Sequence, residues 1–295
     1  MKLAVFDDYR IGAVEGDSVL DVSKALPDAL RIWPGALMNW LIANWHEALP
    51  RVLECRGSAK PIPLAQVRLL PSNPNPAHVF AAPANYRKHI GELGDRVVTK
   101  KGRSAREQGF FLKAPGSLVG AGGKLRLPRG STRRFDHESE LAVIIGRPGR
   151  NVPRSEAMQY VFGYSCLIDA TMRIEPGVAE EERSMRKSFE TFTPLGPFLV
   201  TADEVPNPQD LQNRLWVNGE LRQEANTRDM IVDIAELIEL ISSVLPLSPG
   251  DVIATGTPEG VGPFTGGDTV RIAIESVGDM SLEVQEYESR SPRAY

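Results

Sequence analysis

Short runs of apolar residues bounded by turn formers recur along most of this chain, the pattern of a strand-rich fold. Leu3-Ala4-Val5-Phe6 and residues 10–17 read as a hairpin with a turn at Glu15-Gly16-Asp17. Between Ile32 and Leu53 the period lengthens to that of a helix, and Trp40, Leu41, Trp45 and Leu49 read as its packing face. The junction Pro71-Ser72-Asn73-Pro74-Asn75-Pro76 forbids helix and resists a central strand, so a linker or domain boundary is expected there. Beyond it, Phe110-Phe111-Leu112 and residues 124–127 flank a glycine-rich turn, and Leu141-Ala142-Val143-Ile144-Ile145 is a buried β-type run. Residues 160–168 and 198–201 are further strands. Asn218-Gly219 between Leu215-Trp216-Val217 and Glu220-Leu221-Arg222 is a hairpin signal with a mechanism, since both residues tolerate positive φ. One amphipathic helix is expected with Ile231, Ile234, Leu237, Ile238, Ile241, Val244 and Leu245 on one face and Pro246 as its stop. Residues 252–255 and 269–274 are late strands. No repeat and no alternating βαβ rhythm is visible, so the fold class is α+β and strand-dominated. The proline-rich junction divides it into a small N-terminal α+β domain, 1–70, and a large domain, 71–295.

Composition narrows the function classes. Of 295 residues, 42% are hydrophobic and 24% charged, as in an ordinary globular protein. Thirty-four Lys and Arg against 38 Asp and Glu give a net charge of −4, which offers no footprint for nucleic acid and no polybasic patch for a membrane. The most apolar stretch, residues 230–247, is interrupted by Asp233, Glu236 and Glu239 and does not read as a membrane span. Asp7-Asp8 follow the first apolar residues at once, unlike a secretory leader, and Cys55 and Cys166 form neither zinc spacing nor a disulfide framework. A cytoplasmic protein is the expectation.

Three constellations carry chemistry. In Asp136-His137-Glu138-Ser139-Glu140, the two glutamates lie two apart on a strand and project from one face. Like charges this close repel unless a proton or a cation lies between them, and a carboxylate donor set suits Mg²⁺, Mn²⁺ or Ca²⁺ rather than zinc. The same pattern describes the charged outer face of an edge strand, and spacing alone does not choose. Asp169 ends the apolar strand 161–168 and can reach a neighbouring strand's site or cap the next turn. In Asn85-Tyr86-Arg87-Lys88-His89-Ile90-Gly91-Glu92, His89 and Glu92 share a helical face, as a general base and its orienting carboxylate do and as many surface pairs do. Lys187 precedes the stiff segment Thr193-Pro194-Leu195-Gly196-Pro197 and is either a fixed ammonium or a solvated one. Thr257 lies in the Gly/Pro-punctuated loop 255–263, which can present a hydroxyl and amides to an anion but lacks the lysine of a phosphate-binding loop. Residues 96–106, with Lys100, Lys101, Arg103 and Arg106, read as a solvated loop or as a basic lid.

Taken together, these segments resemble the fumarylacetoacetate hydrolase family. The resemblance runs through Asn85-Tyr86, His89 and Glu92, residues 111–117, His137-Glu138-Ser139-Glu140-Leu141, Ile168-Asp169-Ala170-Thr171, Lys187-Ser188-Phe189, Asn218-Gly219-Glu220, Pro249-Gly250-Asp251 and Thr255-Gly256-Thr257-Pro258, in family order. It implies a mixed β-roll, usually in a homodimer, with a divalent metal, Mg²⁺ or else Mn²⁺ or Ca²⁺, held by Glu138, Glu140 and Asp169. It further implies that His89 and Glu92 supply the base, that Lys187 and Thr257 line the pocket, and that Tyr86 and Arg173 contact substrate. Family substrates are 2-oxo acids. The expected activity is hydrolysis of a C–C bond in an acylpyruvate-like 2,4-dioxo acid through a stabilised enolate, with isomerisation or decarboxylation of a 2-oxo (di)carboxylic acid in aromatic catabolism as the alternative. Where members often carry Arg before the Asn-Tyr pair this chain has Ala84, and Ile174 and Pro176 stand where a substrate-reaching segment is usual.

Overall fold

The computed structural model describes residues 1–93, 103–174 and 182–287. Its frame is an eleven-stranded mixed sheet. From one edge the order is Pro61–Pro63, Ser18–Asp21, Arg10–Glu15, Lys2–Phe6, Thr193–Thr201 and Val161–Ile168. It continues through Ser139–Ile145, Val252–Ala254 and Val79–Ala81 to Phe111–Lys113, while Leu118–Val119 pairs in parallel with Thr193–Thr201. A five-stranded sheet runs Glu220–Asn226, Gln212–Val217, Thr269–Ile274, Gly278–Tyr287, Leu125–Pro128. Thr171–Met172, Phe135–His137 and Gly262–Pro263 make a small third sheet.

The strand Ser139–Ile145 is apolar without alternation because both its faces are covered. Leu141, Val143 and Ile145 join a core with Leu215, Ile272 and Leu282 of the five-stranded sheet and with Leu237, Ile238 and Ile241 of the helix Ile234–Val244. Ala142 and Ile144 join a second core with Leu3, Val5, Leu195 and Leu199, roofed by Met38, Leu41 and Val52. The first 70 residues are therefore continuous with the large sheet, since Lys2–Phe6 pairs with Thr193–Thr201. The proline-rich junction is pinned: Ser72 Oγ lies 2.9 Å from Ser165 Oγ, and Asn73 Nδ2 donates to Gly250 O at 2.7 Å, with Ser72 and Asn73 buried.

Several expected elements differ in detail. The helical period after Ile32 is realised as 3-10 turns Asp28–Ile32 and Pro34–Ala36 followed by helices Leu37–Ala43 and Trp45–Ser58. Pro34 cannot donate to a helix, and Asn44 bonds the Trp40 carbonyl with its own side chain, which separates the two helices. The late helix is capped by Asp233, and Val244, expected on its buried face, is 58% exposed in the last turn. Asn218 and Gly219 adopt φ of 53° and 81°, and their hairpin is paired as expected. Among the described residues no helix is long and apolar enough to cross a membrane.

Candidate metal and substrate site

Glu138, Glu140 and Asp169 meet because two antiparallel strands end together. Ser139 pairs with Ile168, and the Asp169 N–H donates to Glu138 O at 2.8 Å, so the chain's turn after Ile168 delivers Asp169 beside the two glutamates. One oxygen from each carboxylate lies within 4.8 Å of the others, and all three residues are buried.

Three cations surround them. Lys187 Nζ donates to Glu138 Oε2 at 2.7 Å, Asp169 Oδ2 at 2.5 Å and Thr171 Oγ1 at 2.7 Å. Lys113, wholly buried, donates to Asp169 Oδ1 at 2.5 Å, to Phe192 O at 3.3 Å and to Lys187 O. Arg173 places Nη2 on Glu138 Oε1 at 2.7 Å and Nε on Asp136 Oδ2 at 2.6 Å.

The carboxylates are not equivalent. Burial works against ionisation of Glu138, yet Lys187 and Arg173 hold it well below the usual carboxylate range. Glu140 is pushed well above that range by burial, then by Asp169 and Glu138, although the Gly256 N–H donates to its Oε2 at 2.7 Å. A buried, hard, all-oxygen donor set with one carboxylate short of positive charge fits a divalent cation of the Mg²⁺ or Mn²⁺ kind. These three residues are the ones that could hold it.

His89, Glu92 and the glycine-rich loop adjoin this cluster. His89, on the helix Arg87–Leu93, is buried, with Nδ1 3.2 Å from Glu92 Oε2, and lies near Glu138. Burial would raise the Glu92 carboxyl, but His89 and the Gly260 N–H hold it below its ordinary value. Asn85 welds this segment to the loop, donating to Thr255 O at 2.8 Å and Val232 O at 2.9 Å and accepting from Val232 N at 2.8 Å. Gly256 is required there: its φ is +94°, and an added Cβ would stand 2.5 Å from Asn85 Cβ. Tyr86 is buried with a hydroxyl that has no partner among the described residues, and burial followed by the nearby Glu140 drives its pKa up. Thr257 is buried and bonded to Gln223.

Lys187 bonds Glu138 and Asp169, and a Glu140 oxygen lies within 4.8 Å of theirs; Tyr86 is near Glu140 and His89 near Glu138, while Glu92 is held by His89 and Gly260 and Thr257 by Gln223. Arg173 is tied to Asp136 and Glu138. Residues 96–102 of the expected basic lid lie outside the described residues; Arg106 pairs with Glu236 at 2.5 Å, away from the carboxylates. Sequence reasoning gave no role to Lys113, Asn85, Thr171, Gln223 or His137. Lys113 carries a faint signal as a lone cation at the end of an apolar run. His78 Nδ1 lies 3.2 Å from Asp251 Oδ2. Burial pushes the His137 imidazole below its ordinary value against the pull of Gln223.

The chain is similar to known proteins along most of its length. The model of the fumarylacetoacetate (FAA) hydrolase C-terminal family matches residues 78–285. The maleylpyruvate hydrolase of Aquipseudomonas alcaligenes is 45% identical over 293 residues, covering 97% of this chain and 99% of that protein. The crystal structure of maleylpyruvate hydrolase from Sphingobium sp. SYK-6 with manganese(II) and pyruvate superposes with a TM-score of 0.84 at 40% identity, over 98% of this chain and 100% of that one. A 5-carboxymethyl-2-hydroxymuconate delta-isomerase from Mycobacterium smegmatis superposes with a TM-score of 0.73 at 29% identity, over 97% and 100%.

Proposed function

The chain belongs to the fumarylacetoacetate hydrolase family, and from that premise we propose that it is a divalent-metal-dependent hydrolase that cleaves the C–C bond of an acylpyruvate-like 2,4-dioxo acid. The observation that carries the reading is the buried trio Glu138, Glu140 and Asp169, with oxygens within 4.8 Å and Glu140 in need of positive charge. These three would hold the ion, Mg²⁺ or Mn²⁺, and the manganese and pyruvate bound by the Sphingobium enzyme support that assignment. When bound, such an ion supplies Lewis acidity toward the carboxylate and 2-oxo oxygens of a 2-oxo acid.

The chain's own residues divide the remaining work. His89 directs the Nδ1 proton to Glu92, which leaves Nε2 to take a proton from water. The resulting hydroxide adds to the distal carbonyl carbon. The bond from that carbon to the adjoining methylene breaks, and its electron pair passes into the enolate of the 2-oxo acid fragment. Lys187 and Thr257 are assigned to the oxygens on which that charge gathers. The proton held on His89 returns to the methylene carbon, so substrate plus water becomes a 2-oxo acid and a carboxylic acid, which gives up its own proton to solvent as a carboxylate. Tyr86, whose hydroxyl has no partner among the described residues, is assigned as a donor to bound substrate. With Nε on Asp136 and Nη2 on Glu138, a substrate contact from Arg173 would fall to Nη1.

The similarity to the Mycobacterium smegmatis isomerase supports a second reading, in which the same enolate is reprotonated without attack by water. A homodimer follows from the family resemblance, a cytoplasmic location from composition, and a boundary near residue 70 from the proline-rich junction, which the family match beginning at residue 78 supports. The test is the ultraviolet absorbance of acetylpyruvate enol with the purified protein. Loss of absorbance with Mn²⁺ or Mg²⁺ that stops on adding a chelator, with pyruvate appearing, is expected. Persistence of the enol with metal present would shift the reading to the isomerase.

A further inference from the structure

A threonine hydroxyl donates and accepts equally well, so the residue type at position 257 leaves the direction of its hydrogen bond open. Gln223 closes it. Gln223 Oε1 lies 3.0 Å from Ser139 N and 3.0 Å from His137 Nδ1. A backbone N–H only donates, so that end of the amide is the oxygen. At the other end, Nε2 lies 2.9 Å from Thr257 Oγ1, 3.0 Å from Pro258 O and 3.4 Å from Glu259 O. Backbone carbonyls only accept, so that end is the NH₂. Main-chain groups thus fix both ends of the amide, and turning it over would set oxygen against two carbonyls and N–H against N–H.

The surroundings hold this arrangement still. Gln223 and His137 are fully buried and Thr257 nearly so. The glycine-rich loop lies flush on the Gln223 strand, with an added Cβ at Gly260 reaching 2.0 Å from Arg222 O. Arg222 and Glu224 on either side of Gln223 are exposed, so the strand turns the Gln223 side chain inward.

Resting on the function proposed above, we infer that Gln223 is a positioning residue: it donates to Thr257 Oγ1 and so turns the threonine proton into the pocket, as a donor to the enolate oxygen. Among the described residues the Thr257 hydroxyl has no other hydrogen-bond partner. Removing either residue should therefore remove the same interaction.

The experiment compares Gln223→Met, Thr257→Val and the double variant with the wild type, Mn²⁺-loaded, on acetylpyruvate. Each single variant should lower kcat about 10- to 100-fold with KM within about threefold, because the donor acts on charge that develops in the transition state. The double variant should be no slower than Thr257→Val, since the two act as one unit. Oxalate, a planar mimic of the pyruvate enolate, should bind both single variants more weakly than the wild type by calorimetry. Losses that multiply in the double variant, or a change in KM alone, overturn the inference. Gln223→Glu keeps the shape and the acceptor toward Ser139 but offers Thr257 an oxygen; it carries the test if Gln223→Met does not fold, and full activity in it overturns the inference. A wild type inert on acetylpyruvate with metal bound overturns the proposed function and this inference together, whereas an active wild type with multiplying losses overturns this inference alone.

Discussion

Lys113 and Asp169 form an ion pair with both side chains wholly out of solvent, and neither charge is tolerable there alone. Replacing Lys113 with Met should cost about 3–5 kcal/mol in a urea unfolding titration, because Asp169 loses a buried partner while Lys187 keeps only part of its charge neutralised; a stability within about 1 kcal/mol of wild type would contradict this. Glu138→Ala should abolish Mn²⁺ binding measured by calorimetry, and an unchanged affinity would mean that the ligand set is wrong. His89→Ala should leave Mn²⁺ affinity in place while lowering kcat about 10²- to 10⁴-fold; unchanged turnover excludes it as the base. Glu138 and Glu140 were legible because a period of two puts them on one face, and His89 with Glu92 because three residues close a helical turn. Lys113 and Gln223 were not, since each acts on residues 56 and 34 positions away and a lone polar residue in a strand carries no period.

Glycines and turns decide how the elements deliver these side chains. Gly256→Ala should lower the melting temperature and weaken Mn²⁺ binding together, because its Cβ would collide with Asn85 and its φ of +94° disfavours a side chain, loosening the amide that holds Glu140. Loss of stability with metal affinity intact would separate the loop from the carboxylates. The Asn218-Gly219 hairpin and the helix Ile234–Val244 were legible from local chemistry, whereas the helical period after Ile32 was broken by Pro34 and Asn44. The strand Gly278–Tyr287 does carry an alternation, at Met280, Leu282 and Val284, but it follows the last strand that the sequence reading identified. The short strands Leu118–Val119 and Thr171–Met172 exist only through their partners and have no pattern of their own.

The molecule as a whole is organised around strands buried on both faces, which is why its apolar runs gave fold class readily and sheet order hardly at all. Residues 1–70 illustrate the gap: the proline-rich junction marks where they end but not that Lys2–Phe6 is hydrogen-bonded to Thr193–Thr201 and that its side chains complete the second core. A fragment of residues 71–295 should therefore be insoluble or aggregate in size-exclusion chromatography, with Leu195 and Leu199 uncovered and a strand edge opened; a stable, active fragment would show that the unit folds alone. The central claim is that water, activated beside the buried carboxylates, cleaves a C–C bond. It is tested most directly by turning over acetylpyruvate with Mn²⁺ in ¹⁸O-labelled water and examining the acetate by mass spectrometry. Acetate carrying one ¹⁸O, formed in equal amount with pyruvate, is the predicted result. An isomerised or decarboxylated product with no labelled acetate would contradict the account.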